Sequence, residues 1–121
     1  IMESVMCNTS VIFAEPGYLE GVRELCTKYG TVLIFDEVIT GFRLSLGGAQ
    51  LFHGVIPDLA VFAKALANGF PGSCLAGKAS LMQLIGSGRV MHGGTYNSNV
   101  VCTAAAIATI QQLQRTDAYR R

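Results

Sequence analysis

The chain has 121 residues, 50% of them hydrophobic and 14% charged, with a formal net charge of +1. Its Lys and Arg residues are scattered, which leaves no footprint for nucleic acid or an anionic membrane, and no apolar stretch reaches the roughly 18 residues a membrane helix needs. Ordinary soluble domains carry about 25% charged residues, so the low charge, together with Ile1 in first place, reads as a slice of a longer protein whose surface is covered by further chain or a second subunit.

Ile1 to Met6 reads as a strand. Pro16 and Gly17 open a helical stretch in which Leu19, Val22, Cys26 and Tyr29 recur at spacings of three and four, placing them on one face. Glu24 and Lys28 can pair on the other face, and Gly30 stands where a helix C-terminal glycine belongs. Thr31 to Phe35 is apolar without alternation, the pattern of a parallel strand covered on both faces. Strand, helix and strand in this order imply a right-handed crossover and a parallel sheet. Residues 41–57, rich in Gly and ending on Pro57, read as irregular. Leu59 to Phe62 is a second short strand, "NGFPG" at 68–72 a turn, Ser73 to Ala76 a further strand and Ala79 to Ile85 a short helix. A last helix starts at Asn97 or Ser98 as N-cap. Its alanines predict that its start is buried.

Cys7, Cys26, Cys74 and Cys102 form no C-x-x-C pair and have only His53 and His92 beside them, so no metal site is expected. Buried reduced thiols in a cytoplasmic protein are the expectation.

The sharpest chemical signal is the acid pair Asp36-Glu37 at the end of an apolar run. An ATPase places acids there, but no G-x-x-x-x-G-K-[ST] loop exists in the chain. A cofactor enzyme does so too. Pyridoxal phosphate needs a carboxylate at its ring nitrogen, a lysine for a Schiff base, and donors for its phosphate. Asp36 supplies the carboxylate. Strand alternation puts Val38 on the same side if extended geometry continues, and turns Glu37 the other way into a structural hydrogen bond or salt bridge. Lys64 follows "DLAVFA" with apolar neighbours on both sides. It is either a desolvated Schiff-base amine or a surface lysine whose stem packs on apolar neighbours. "HGGTYNSN" at 92–99 combines two glycines, Thr95 and a helix start. This is either an anion site with Thr95 on a phosphate or an ordinary N-cap with a flexible lead-in.

"LIFDEVITGFR", "PDLAVFAKALANGFP" and "HGGTYNSN", in this order, resemble the class III pyridoxal-phosphate aminotransferases. The first motif is most similar to the glutamate-1-semialdehyde 2,1-aminomutase branch, whereas "GTYNSN" is more similar to transaminases for other amines. The resemblance covers nearly the whole chain. It implies a three-layer α/β/α fold with a mostly parallel sheet, that of the large domain of a fold-type-I transferase. Residues 1–121 would form part of that domain, without the family's N-terminal segment and C-terminal small domain. The implied cofactor is pyridoxal 5'-phosphate. Asp36 matches the aspartate at its ring nitrogen, Val38 the aliphatic residue against the ring and Lys64 the Schiff-base lysine. Thr95 matches the threonine that reaches the phosphate in the neighbouring subunit, which implies a homodimer or higher homo-oligomer. Glu3 matches an acid near the active site. The implied substrates are an amino acid or amine and a keto or aldehyde compound. Ser4 departs from a usual proline, Ser10 from a common glycine and Ile39 from a common glutamine. The rival expectation for these residues alone is a non-catalytic, self-associating fragment that does not bind the cofactor.

Overall fold

The computed structural model describes residues 1–116, 118 and 119. Strand β1 (Val5–Met6) pairs antiparallel with β2 (Ile12–Phe13) across a short 3-10 turn. Ser10 in that turn has φ 80° and Val11 φ 59°, the left-handed region that glycine enters without steric cost. Helix α1 spans Tyr18–Lys28, with Glu20 in its first turn and Lys28 in its last, both complementing the helix dipole. It ends in a Schellman motif. Gly30, at φ 64°, donates its N–H to Thr27, and Thr31 donates to the Cys26 carbonyl at 2.8 Å. Strand β3 follows at Ile34–Glu37, then a six-residue helix α2 at Gly48–His53, and strand β4 at Leu59–Phe62. A single 3-10 turn at Lys64–Leu66 leads through the 68–72 turn to strand β5 (Cys74–Gly77), helix α3 (Ala79–Gly86) and helix α4 (Val100–Thr116).

Strands β3, β4 and β5 form one sheet in that order. The β3–β4 pairing is parallel and β4–β5 antiparallel, and Met2 adds a parallel bridge to Phe35 on the outer side of β3. The register sets Asp36, Val61 and Leu75 in one row and Phe35, Ala60 and Ala76 in the next. Adjacent rows point to opposite faces. On the Phe35 side lies the core, where Leu19 of α1 packs with Leu33, Phe35 and Val55, joined by Met2, Ala14, Val22 and Cys26. Glu37 shares this side and is tied to α2. On the Val61 side, α3 and α4 wall a cavity of about 690 Å³ through Met82, Ile85, Cys102 and Ala106. Helices on both sides of a mixed sheet give the α/β, three-layer arrangement.

Several expectations are corrected. The strand expected at Ile1 to Met6 is reduced to Val5–Met6 and the Met2 bridge. The one expected at Thr31 to Phe35 begins three residues later, because Thr31 closes the α1 cap and Leu33 donates its N–H to Asp58. Tyr29 leaves the buried face of α1 because it is the cap residue, and it is exposed. Lys28 lies over the Tyr29 ring at 5.3 Å from its centre rather than pairing with Glu24. Helix α4 is not buried at its start: Val100 is 78% exposed, since no layer among the described residues covers that face. The cysteines are free, but none is buried.

Candidate functional site

The carboxyl ends of β3 and β4 lie side by side because the two strands run parallel and in register. In open α/β sheets this edge is where ligands bind. Asp36 occupies it half-buried. Its N–H is bonded to the Met2 carbonyl at 2.8 Å, and its Oδ1 accepts the Val38 N–H at 3.0 Å. The strand stops there. A turn starts at Val38, so the extended geometry expected to align Val38 with Asp36 ends at Glu37, and Val38 meets Asp36 through its amide. Val38 is itself half-buried. Asp36 shares its face of the sheet with Val61, which lines the cavity together with Tyr96, Asn97 and Asn99. The register thus sets Asp36 on the face that the 92–99 segment also borders.

Lys64 sits two residues beyond the end of β4. Of the two readings of its surroundings, the structure shows the surface one: Lys64 is exposed, because Leu66 and Ala67 take the buried positions of that turn. Its backbone is unusual, with φ 41°. A non-glycine residue held there costs about 1–3 kcal/mol and persists only where its surroundings enforce it. Among the described residues Lys64 forms no ion pair; both ion pairs belong to Asp58.

Thr95 is exposed in the 95–98 turn. It lies ahead of α4 rather than at its N-terminus, because the N-cap is Asn99, not Asn97 or Ser98. The Asn99 Oδ1 accepts the N–H groups of Val101 and Cys102, both at 3.1 Å. Ser98 is displaced from that role by φ 59°. The turn is held by Asn97 and Asn99 donating to Gly94 and Tyr96, and the Asn97 amide meets His92 Nδ1 at 3.2 Å. Glu3 is half-buried, and its Oε2 accepts the Cys7 N–H at 3.1 Å. Ser4 is buried with an unpartnered hydroxyl.

Glu37 turns away from Asp36, as alternation requires, and is 0% exposed. Its carboxylate accepts Thr40 Oγ1 at 3.1 Å, the Ala49 N–H, and both the N–H and side-chain amide of Gln50 at 3.1 Å. Those donors include the opening amides of α2, whose dipole favours a negative charge.

Asp58 was not singled out by sequence, which left it between a turn and a strand. It is 5% exposed and accepts from the Leu33 N–H at 2.7 Å, Arg23 at 2.9 Å and Lys78 at 2.6 Å. Burial alone would raise its pKa. The bonds from Lys78, Leu33 and Arg23, with the Arg23 charge, outweigh that and hold it well below the usual carboxylate range. Burial likewise raises the Tyr119 hydroxyl, which donates to the Phe42 carbonyl at 2.9 Å.

Compared with known proteins, residues 1–121 match the family model "Aminotransferase class-III" throughout. The chain belongs to this family. It is 49% identical to glutamate-1-semialdehyde 2,1-aminomutase 2 of Lachnoclostridium phytofermentans over 94% of its own length and 27% of that protein's. It is also 49% identical to the glutamate-1-semialdehyde 2,1-aminomutase of Sulfurisphaera tokodaii, over 98% of this chain and 29% of the other. Among solved structures, an omega-transaminase from Sphaerobacter thermophilus superposes with a TM-score of 0.85 at 37% identity, over 93% of this chain and 26% of that one. A transaminase solved with PLP bound gives 0.85 at 30% identity, over 93% and 27%. The class III chain described here therefore spans under a third of the length of these curated relatives. Among its described residues no helix is long and apolar enough to cross a membrane, and no group of three His, Cys, Asp or Glu is placed to hold a metal ion.

Proposed function

We propose that the chain is part of the large domain of a pyridoxal 5'-phosphate enzyme, an aminotransferase or aminomutase. Its substrates would be an amino acid or amine and a keto or aldehyde compound. The observation that carries this reading is the placing, at adjacent strand ends, of a half-buried carboxylate and an exposed amine on a left-handed backbone with no ion pair among the described residues, Asp36 on β3 and Lys64 after β4.

The donor set fits the cofactor. Asp36 keeps Oδ2 without a hydrogen bond among the described residues, Lys64 offers an exposed primary amine, and Thr95 an exposed hydroxyl. When bound, pyridoxal phosphate supplies an electrophilic aldehyde and a ring that withdraws electrons from the reacting carbon. Asp36 would face the ring nitrogen and hold a proton there. Val38 would lie against the ring and limit its movement. Lys64 would supply the primary amine that holds the aldehyde end of the cofactor and, once free, a base able to carry a proton. Thr95 would offer its hydroxyl to the phosphate of a neighbouring subunit, so a homodimer or higher homo-oligomer would be the working unit. Four free cysteines suit a reducing, cytoplasmic setting.

The test is reduction of the complete protein with borohydride in the presence of pyridoxal phosphate, followed by peptide mapping. The cofactor is expected on Lys64. A label on Lys28 or Lys78 overturns the assignment.

A further inference from the structure

Glu37 is the neighbour of Asp36 in sequence and lies on the other face of the sheet. It is wholly buried and has no counter-cation among the described residues. Its Oε2 takes the Thr40 hydroxyl and the Ala49 N–H, and its Oε1 takes two donors from Gln50. Its backbone carbonyl accepts the Gly41 N–H at 2.9 Å. One residue therefore closes the 38–50 segment at both ends. Two glycines make room for this. A Cβ at Gly48 would fall on the Glu37 carboxylate, and one at Gly41 would come within 2.8 Å of the Glu37 carbonyl oxygen and 2.5 Å of the Phe62 ring.

The Val38 N–H, the only side-chain partner of Asp36 among the described residues, belongs to the peptide unit that starts at the Glu37 carbonyl. We infer that Glu37 is a positioning residue for Asp36: by anchoring 38–50 it fixes the Val38 amide, and through it the direction of the Asp36 carboxylate. The inference rests on the role proposed above for Asp36 and deepens it. A residue that merely held α2 in place would leave Asp36 unaffected.

The test compares the complete protein with its Glu37→Gln and Thr40→Val variants. The second removes one donor and keeps the carboxylate, so it serves if the first fails to fold. In the cofactor-free protein, amide hydrogen exchange should quicken together at Val38, Ala49 and Gln50. A rise of about tenfold is expected in Glu37→Gln, the equivalent of one weakened charge-assisted hydrogen bond, and a smaller rise in Thr40→Val. Val61 and Leu75 should keep their protection. With pyridoxal phosphate added, the dissociation constant and the pH midpoint of visible absorbance should both move in the same rank order. Faster exchange at Ala49 and Gln50 with Val38 unchanged overturns the inference. So does faster exchange at Val38 with both cofactor readings unmoved. If the unaltered protein takes up no pyridoxal phosphate, the functional reading fails instead, and Val38 exchange still decides whether Glu37 controls the Asp36 partner.

Discussion

The two ends of the β3–β4 pair treat their carboxylates in opposite ways. At the amino end, Asp58 is buried, flanked by two cations and bonded to a backbone amide. It joins α1, the approach to β3 and the Lys78 that precedes α3, with almost no capacity left over. At the carboxyl end, Asp36 keeps one oxygen free and Lys64 has no ionic partner among the described residues. Lys64 also occupies a backbone conformation that costs free energy. Satisfied polar groups stabilise a fold, whereas a site for chemistry must keep some unsatisfied. The contrast separates a strut from a candidate site on the same pair of strands.

The contrast can be broken most directly at Lys64. Lys64→Ala in the complete protein should lower turnover by about 10⁴-fold or more, since on the proposed role it removes both a nucleophile and a proton carrier, with little change in thermal midpoint. Steady-state kinetics beside a melting curve checks both halves. Asp36→Asn should lower turnover by roughly 10²–10³-fold, the scale for loss of one preorganised electrostatic contact, and Asp36→Glu should lower it less. Near-normal turnover in Asp36→Asn would make Asp36 a strand-end carboxylate and nothing more.

The amino end should respond in stability instead. Asp58→Asn should cost about 1.5–3 kcal/mol, the range for hydrogen bonds to a charged group, reduced from the value for a fully buried pair because the Lys78 side chain is largely exposed. Denaturant unfolding measures it, and kcat of the folded fraction should stay close to the parent's. Asp58 also fixes a pH response. Its folded pKa lies below its unfolded value, so its stabilisation is present above the ordinary value of 3.8. It is lost as pH falls from there toward the still lower folded pKa. Acid unfolding of Asp58→Asn should lack that part of the slope. The smallest effect belongs to the segment leading into α4: Asn99→Ala removes the N-cap and should cost about 1 kcal/mol, readable as a drop in melting temperature.

Where local chemistry decides, the sequence is a good guide. Strand β4 runs over Leu59–Phe62 as expected, Gly30 ends α1, and Glu37 points into a structural hydrogen-bond network. The misses are long-range. Residues 41–57 read as irregular because their glycines disfavour helix locally, yet the Glu37 carboxylate captures the first amides of α2 from twelve residues away in the chain. Asn97, Ser98 and Asn99 are all good cap residues, and the choice falls on Asn99 because Ser98 is held at positive φ. Asp58 carries no local signature, since its three partners come from α1, the approach to β3 and the residue before α3. Of the site, the residue types of Asp36, Lys64 and Thr95 were legible. The choice between a desolvated and an exposed Lys64, and the distance of Thr95 from the start of its helix, were not, because both depend on which residues of a turn are turned inward.

The left-handed backbone at Lys64 has a consequence for anyone evolving this protein. Glycine and asparagine accept that conformation more readily than lysine, so a library selected only for heat tolerance gains by replacing Lys64. Robust clones would then accumulate exactly where the amine is lost, an instance of the trade-off between robustness and activity. Selection schemes that alternate heating with a colour or turnover screen avoid that drift.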